Sequence, residues 1–380
     1  MEILLALDSF KGSISSIDVE NIIEKTIKKI DDSINVIKVP LADGGEGTLD
    51  AIKYSKDCII ENIEVTGANG KKIIVDIAYI DYNTAIIEVA KIVGLSILKD
   101  DEKDPYKLTS LGVGEVIKYL LDKNIKKIYI GLGGSSINDA GFGMLYALGL
   151  RYYSKDNKEL SYMLSDMEIL DRIDTRYFDK RIFDKEIILL SDVNNPLCGS
   201  NGASYIYGPQ KGLKDIEKTD KLIKNFALKL SPECIEKSGS GSAGGLGFAF
   251  LYSNGHMKSG IKEIMDILNI ESMIKKADYI ITGEGRIDSQ SLNGKLPIGV
   301  ASIAKKYNKK VIAMVGSKEL NLDEVYKNGI DLVLDIINKP MSLDFAMENV
   351  EMLLEDTTKT LLQIISLIGG KNNETISNEV

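Results

Sequence analysis

The sequence predicts an α/β protein: a domain built on a parallel sheet, interrupted by a second, mixed α/β domain. Two observations carry this. Short, continuous apolar runs end in glycine or an acid: EILLALD (2–8), NVIKVPLAD (35–43), KKIYIGLGG (126–134), EIILLSD (186–192), YIITGEG (279–285) and KKVIAMVG (309–316). With helical patterns between several of them, such runs suit parallel strands covered on both faces. Residues 62–90 instead alternate apolar and polar side chains, with turn signals at GANG and DYN, as an antiparallel meander does. The simplest arrangement has a discontinuous domain of residues 1–62 and 256–380, an insert of 63–255, and an active site in the cleft between them.

The elements follow in order. The opening MEILLALDSF reads as a strand, its apolar run being too short and its second residue too acidic for a signal peptide. After Asp8, SSIDVENIIEKTIKKI places Val19, Ile22, Ile23, Ile27 and Ile30 on one helical face, and Ser15 with Asp18 forms a capping-box-like start. TSLGVGEVIKYLL (109–121) opens a helix capped by Thr109 or Ser110. GSGSAG (239–244) fits G-x-G-x-x-G, but the polar SPECIEKS before it is no strand, so it reads as a helix start able to hold an anion. Residues 342–368 read as a closing helix, and the tail GGKNNETISNEV as disordered.

Composition excludes several classes of function. The chain of 380 residues carries 47 basic and 56 acidic side chains, a net charge of −9, with no long basic run for nucleic acid. Three cysteines without a C-x-x-C motif signal neither a disulfide frame nor a zinc site, which fits a reduced cytoplasm. No stretch of about 18 apolar residues is long enough to span a membrane. The single histidine, His256, rules out His-based triads and two-His metal sites.

In open parallel sheets ligands bind beyond the carboxyl ends of the strands. There this chain places Asp8, Ser9 and Lys11 (DSFKGS); Asp43 and Glu46 (ADGGEGT); Gly133, Gly134, Asn138 and Asp139 (GLGGSSINDAG); Asp192, Asn194 and Asn195 (SDVNNP); and Glu284, Arg286 and Asp288 (TGEGRID). Asp and Asn also cap helices and make turns, and any one of these residues is explained that way. Five strand ends sharing the feature are harder to explain by caps. Converging carboxylates need a cation between them, and hard oxygen ligands suit Mg²⁺, which also binds substrate phosphates. Lys11, Lys211 of GPQKG, Arg286 and Lys295 supply the opposing charge. The set matches the needs of phosphoryl transfer. Asp43 and Glu284 are the expected metal ligands. Asp192 is the expected base, with Asp288 its rival and Lys11 beside them. Asp8, Ser9, Lys11, Gly133, Gly134, Asn138, Asp139, Asn194, Lys211, Arg286 and Lys295 are the expected substrate and phosphate contacts.

Eight motifs in this order, DSFKGS, PLADGGEGT, TSLGVGE, GLGGSSINDAG, SDVNNPLCG, GPQKG, GSGSAGGLG and TGEGRIDSQSLNGK, resemble those of the bacterial glycerate kinase family, from residue 2 to about residue 365. Leu7 stands where proline is common, and Leu213 follows GPQKG; neither is a proposed catalytic group. The resemblance implies a Rossmann-like or flavodoxin-like domain with a second α/β domain inserted. It also implies ATP-dependent phosphorylation of D-glycerate with Mg²⁺. It leaves open which hydroxyl is phosphorylated and the oligomeric state. Two other readings remain: a non-catalytic sugar-acid binding protein, and an NAD-linked oxidoreductase, for which DSFKGS lacks the fingerprint after the first strand.

Overall fold

The computed structural model describes residues 1–288 and 295–369. In chain order the regular elements begin with β1 (Glu2–Leu7), α1 (Ser16–Ile30), β2 (Asn35–Lys38), α2 (Thr48–Ser55), β3 (Ile59–Thr66), β4 (Lys72–Asp81), β5 (Thr84–Glu88), α3 (Val89–Val93) and α4 (Leu111–Asp122). There follow β6 (Lys127–Gly131), α5 (Phe142–Ala147), β7 (Arg151–Tyr153), β8 (Arg172–Asp174), β9 (Glu186–Leu190), α6 (Ala203–Tyr207), α7 (Ile216–Leu230), α8 (Ser242–Tyr252), β10 (His256–Lys258), α9 (Gly260–Ile267) and α10 (Ile270–Lys276). The chain closes with β11 (Tyr279–Gly283), β12 (Arg286–Ile287), α11 (Leu296–Lys306), β13 (Lys310–Val315), β14 (Ser317–Lys318), α12 (Asp323–Lys327), β15 (Leu332–Asp335), α13 (Leu343–Glu348) and α14 (Val350–Gly369).

These elements form two compact units, residues 1–42 with 264–380 and residues 43–263. The division thus falls at 42 and 263, where the meander had suggested 62 and 256. Residues 43–61 belong with the insert because α2 is hydrogen-bonded to Glu88 at the end of β5 and Gly44 lies against Leu190 at the end of β9.

The first unit is a five-stranded sheet in the order β15–β13–β11–β1–β2. Every pair is parallel. Within the unit this is the 2-1-3-4-5 order of doubly wound flavodoxin-like sheets, with its switch between β1 and β11. Its core joins the strands to α1 and α14 through Ile3, Leu5, Leu7, Val19, Ile23, Ile27, Leu354 and Leu361. Ser15 accepts a hydrogen bond from the Asp18 amide, as the capping pattern predicts, but Ile30 at the far end of the apolar stripe is exposed. The expected closing helix breaks at Asn349 into α13 and α14. The tail beyond residue 369 lies outside the described residues.

The second unit is a six-stranded mixed sheet, β10–β9–β6–β5–β4–β3. β3, β4 and β5 form the predicted antiparallel meander. β5, β6, β9 and β10 run parallel. β5 is therefore both the last strand of the meander and the first of a parallel set, so its carboxyl end belongs to the row where ligands bind.

Gly283 ends β11 with no room for a side chain: a Cβ there would stand 1.9 Å from the Met314 carbonyl oxygen of β13. Gly283→Ala must part β11 from β13 beside the switch point. It should cost roughly 1–3 kcal/mol, seen as a lower denaturant midpoint at unchanged m-value.

Candidate active site

In the first unit, β1 and β11 deliver Asp8 and Glu284 to the two sides of the switch point. Asp8 is anchored by its backbone, whose amide donates to the Gly283 carbonyl at 2.9 Å, and its Oδ1 accepts from the Ser9 amide at 2.7 Å. Both carboxylates are largely buried. The short parallel ladder of β12 with β14 then extends the chain past β11 and presents Arg286 to solvent. Arg286 faces Asp288 at 3.5 Å and Glu319 at 3.4 Å. Lys295 stands between Glu284 at 3.3 Å and Asp288 at 3.7 Å. Only the Arg286–Glu319 pair is exposed on both sides, and such a pair is weak. Asp8, Lys11, Glu284, Arg286, Asp288 and Lys295 are thus all carried on the carboxyl-end loops of this one sheet, as the sequence predicts.

In the second unit the turn of residues 43–47 lies on the ends of β6 and β9. Gly44 (φ +87°) could carry no side chain, since its Cβ would come within 2.9 Å of Leu190; a Cβ on Gly133 would stand 2.4 Å from the Gly45 Cα. The backbone contact makes these glycines necessary. Asp43 is turned by the Gly45 amide, which donates to its Oδ1 at 2.9 Å. Asp192 follows β9 and is exposed at the start of α9. Crowding still desolvates its carboxyl and raises its pKa, the nearby charge of Asp43 adding to this; hydrogen bonds from Ser259 and the Gly260 and Ile261 amides oppose the rise. Asp43 and Asp192 therefore share one electrostatic neighbourhood. Asn194 is exposed and accepts from the Ser238 hydroxyl at 2.8 Å.

Three expected contacts take a different place. Asp139 is fully buried and accepts from Ser110 Oγ and N at 2.7 and 3.0 Å and from the amides of Gly141 and Gly143. Asn138 is equally buried, donates to Ser204 at 2.9 Å, and its Oδ1 has no partner among the described residues. Lys211 is buried and donates to Ser135 Oγ at 2.9 Å and the Ile137 carbonyl at 2.8 Å. These groups hold the loop after β6 from beneath, whereas Gly133 and Gly134 remain nearer its surface. The Ser110 hydroxyl, expected as a cap, is spent on Asp139 and on the Met144 amide. GSGSAG does not follow a strand, and it enters α8 through a kink: Ala243, Gly244 and Gly245 are left-handed, and the Gly244 carbonyl accepts from the Ala140 amide. This excludes a dinucleotide fingerprint.

Two of the buried acids that the sequence reading missed stand beside the strand ends. Glu20 on α1 accepts from the Leu7 amide at 3.0 Å, one residue before Asp8, and burial raises its pKa well above the usual range. Glu88 ends β5 and accepts from Gly47 and Leu49. The strand-end rule would have found Glu88 had β5 not read as wholly antiparallel. No described group of three or more His, Cys, Asp or Glu is arranged to hold a metal ion.

Burial pushes the Lys211 ammonium down to about 7, against the pull of Asp139. The unfolded chain then binds more protons than the folded one from about pH 7 up to the ordinary value of 10.5, so stability rises with pH across that window. Denaturant melts at pH 7 and pH 9 should show a gain of about 2 kcal/mol that is absent in Lys211→Met.

Comparison with known proteins completes the assignment. The model of the Glycerate kinase family matches residues 3–366. A Glycerate 2-kinase of Escherichia coli (strain K12) is 39% identical over 91% of this chain and 93% of its own length. A Glycerate kinase of Haemophilus influenzae is 36% identical over 96% and 99%. A crystal structure from Salmonella typhimurium LT2, assigned to glycerate kinase 2, superposes with a TM-score of 0.80 at 36% identity, covering 97% of this chain and 99% of that one. With the family model matching nearly the whole chain and relatives at 36–39% identity, this chain belongs to the glycerate kinase family.

Proposed function

We propose that the chain transfers the γ-phosphoryl group of ATP to the 2-hydroxyl of D-glycerate, giving 2-phosphoglycerate and ADP. The observation that carries this reading is the 39% identity, over 91% of the chain, to a relative named for the 2-kinase activity. Exposed and half-buried cations on the first unit support it: Lys11, Arg286 and Lys295 neutralise substrate carboxylate and phosphate charge. Arg286 has the planar fork suited to a carboxylate, and Lys11 and Lys295 act as point charges. Ser9, Gly133, Gly134 and Asn194 offer backbone and hydroxyl or amide contacts. The three cysteines are unpaired and no described helix is long and apolar enough to cross a membrane, which agrees with work in a reduced cytoplasm.

The donor set fits a hard cation. Asp43 offers carboxylate oxygens at a glycine-lined turn, and one or two carboxylates are enough because Mg²⁺ keeps several waters and binds substrate phosphates. Glu284 of the first unit offers carboxylate oxygens of the same kind. Bound Mg²⁺ would neutralise charge on the β- and γ-phosphates. Asp192 orients the glycerate hydroxyl and accepts its proton as the new O–P bond forms and the bond to ADP breaks. Its raised pKa suits a base, and the amides at the start of α9 fix its direction.

NMR of the product made from ATP and D-glycerate should show ³¹P coupled to carbon 2 of the acid. Coupling to carbon 3 would overturn the regiochemistry, and ATP consumption independent of glycerate would overturn the kinase itself. Asp192→Asn should lower kcat by about 10²–10⁴ while ATP binding and the thermal midpoint hold. Near-normal kcat there, with loss in Asp288→Asn, transfers the role to Asp288.

A further inference from the structure

We propose that Glu88 is a positioning residue for the reaction: its carboxylate clamps the turn of residues 43–47, and with it Asp43, in the geometry that catalysis needs. The inference rests on the role given to Asp43 above. Glu88 ends β5 in parallel register with Gly131 of β6, and it is only 1% exposed. Its Oε1 accepts from the Gly47 amide at 3.1 Å and its Oε2 from the Leu49 amide at 2.9 Å. Gly47 (φ +89°) occupies the N-cap of α2 and has no side chain with which to cap it. A carboxylate from another element fills that role, and an anion is favoured at a helix N-terminus.

The bonds continue to the reacting groups. Thr48 Oγ1 donates to the Gly45 carbonyl at 2.7 Å, and the Gly45 amide donates to Asp43 at 2.9 Å. Release of Glu88 therefore frees the carboxyl-terminal end of the turn that aims Asp43. Glu88 touches neither substrate nor cation in this scheme, and acts only through the turn.

Only the ionised carboxyl accepts fully at both oxygens. Burial pushes the Glu88 carboxyl up to about 7, with opposing pulls from the amides of Leu49 and Gly47 and from Lys91. The charged groups facing it are Lys91 on α3 and Asp50 on α2, which pair with each other at 2.8 Å; β6 contributes the uncharged Gly131. The clamp is thus complete above this value and weakened below it.

Two measurements test the proposal. Hydrogen exchange by mass spectrometry on wild-type peptides covering 43–49, corrected for intrinsic rates, should show more protection at about pH 8 than at about pH 6, either side of the value of about 7. Glu88→Gln should lower kcat roughly 10–100-fold with KM for glycerate and ATP changed less than about twofold, and should flatten the acid limb of the kcat profile. Equal protection at both pH values overturns the clamp, and this arm stands even if the variant fails to fold. A folded Glu88→Gln enzyme with wild-type kcat and an unchanged acid limb overturns the catalytic role. Asp43→Asn separates the two readings: if it keeps full activity with the same Mg²⁺ requirement, the assignment of Asp43 falls while the exchange result still decides on Glu88.

Discussion

The contact of backbone on backbone at the carboxyl ends of the parallel strands governs what this protein can do. In the second unit the turn of residues 43–47 rests on β6 and β9 with no side chain between Gly45 and Gly133 or between Gly44 and Leu190. In the first unit Gly283 meets the Met314 carbonyl in the same fashion. Removing side chains there lets loops from neighbouring strands of one sheet approach each other closely. The cost is conformational, since glycine loses the most freedom on folding, and the loops need fixed hydrogen bonds to hold them.

Those bonds come from buried polar groups. Asp139 gathers four donors, two from Ser110 and two backbone amides, beneath the loop after β6. Lys211 secures the same loop through Ser135 and Ile137. Glu88 secures the neighbouring turn, and Glu20 supports the end of β1. Each is a charged residue type held where charge is disfavoured, and burial moves the pKa of each toward its neutral form. Such groups stabilise a loop only while their partners are present, because an unpaired buried polar group is costly. This couples loop geometry to the packing of the whole unit.

The distribution of charge follows the same division. The chain carries a net charge of −9, and the loops after β11 mix cations with carboxylates. Arg286 and Lys295 sit among Glu284, Asp288 and Glu319 at 3.3–3.7 Å. Lys211, also a candidate by sequence, differs from them in being buried with two hydrogen bonds to the loop after β6.

By itself the sequence determined the strands, the meander, the strand-end loops and the family. These are written in local patterns: apolar runs closed by Gly or Asp, alternation over 62–90, and motifs spaced along one chain. The positions of Asp8, Asp192 and Glu284 at strand ends were legible because each comes within two residues of the end of an apolar run. Only the tertiary structure decided that residues 43–61 join the insert, that β5 pairs parallel with β6, and that Asn138, Asp139 and Lys211 point into the unit and not toward its surface. The reason is physical. A strand end is announced by its neighbours in sequence, whereas the face on which a loop side chain is buried depends on elements tens of residues away. Ser110 meets Asp139 across 29 positions and Lys211 meets Ser135 across 76, and no local pattern encodes either meeting.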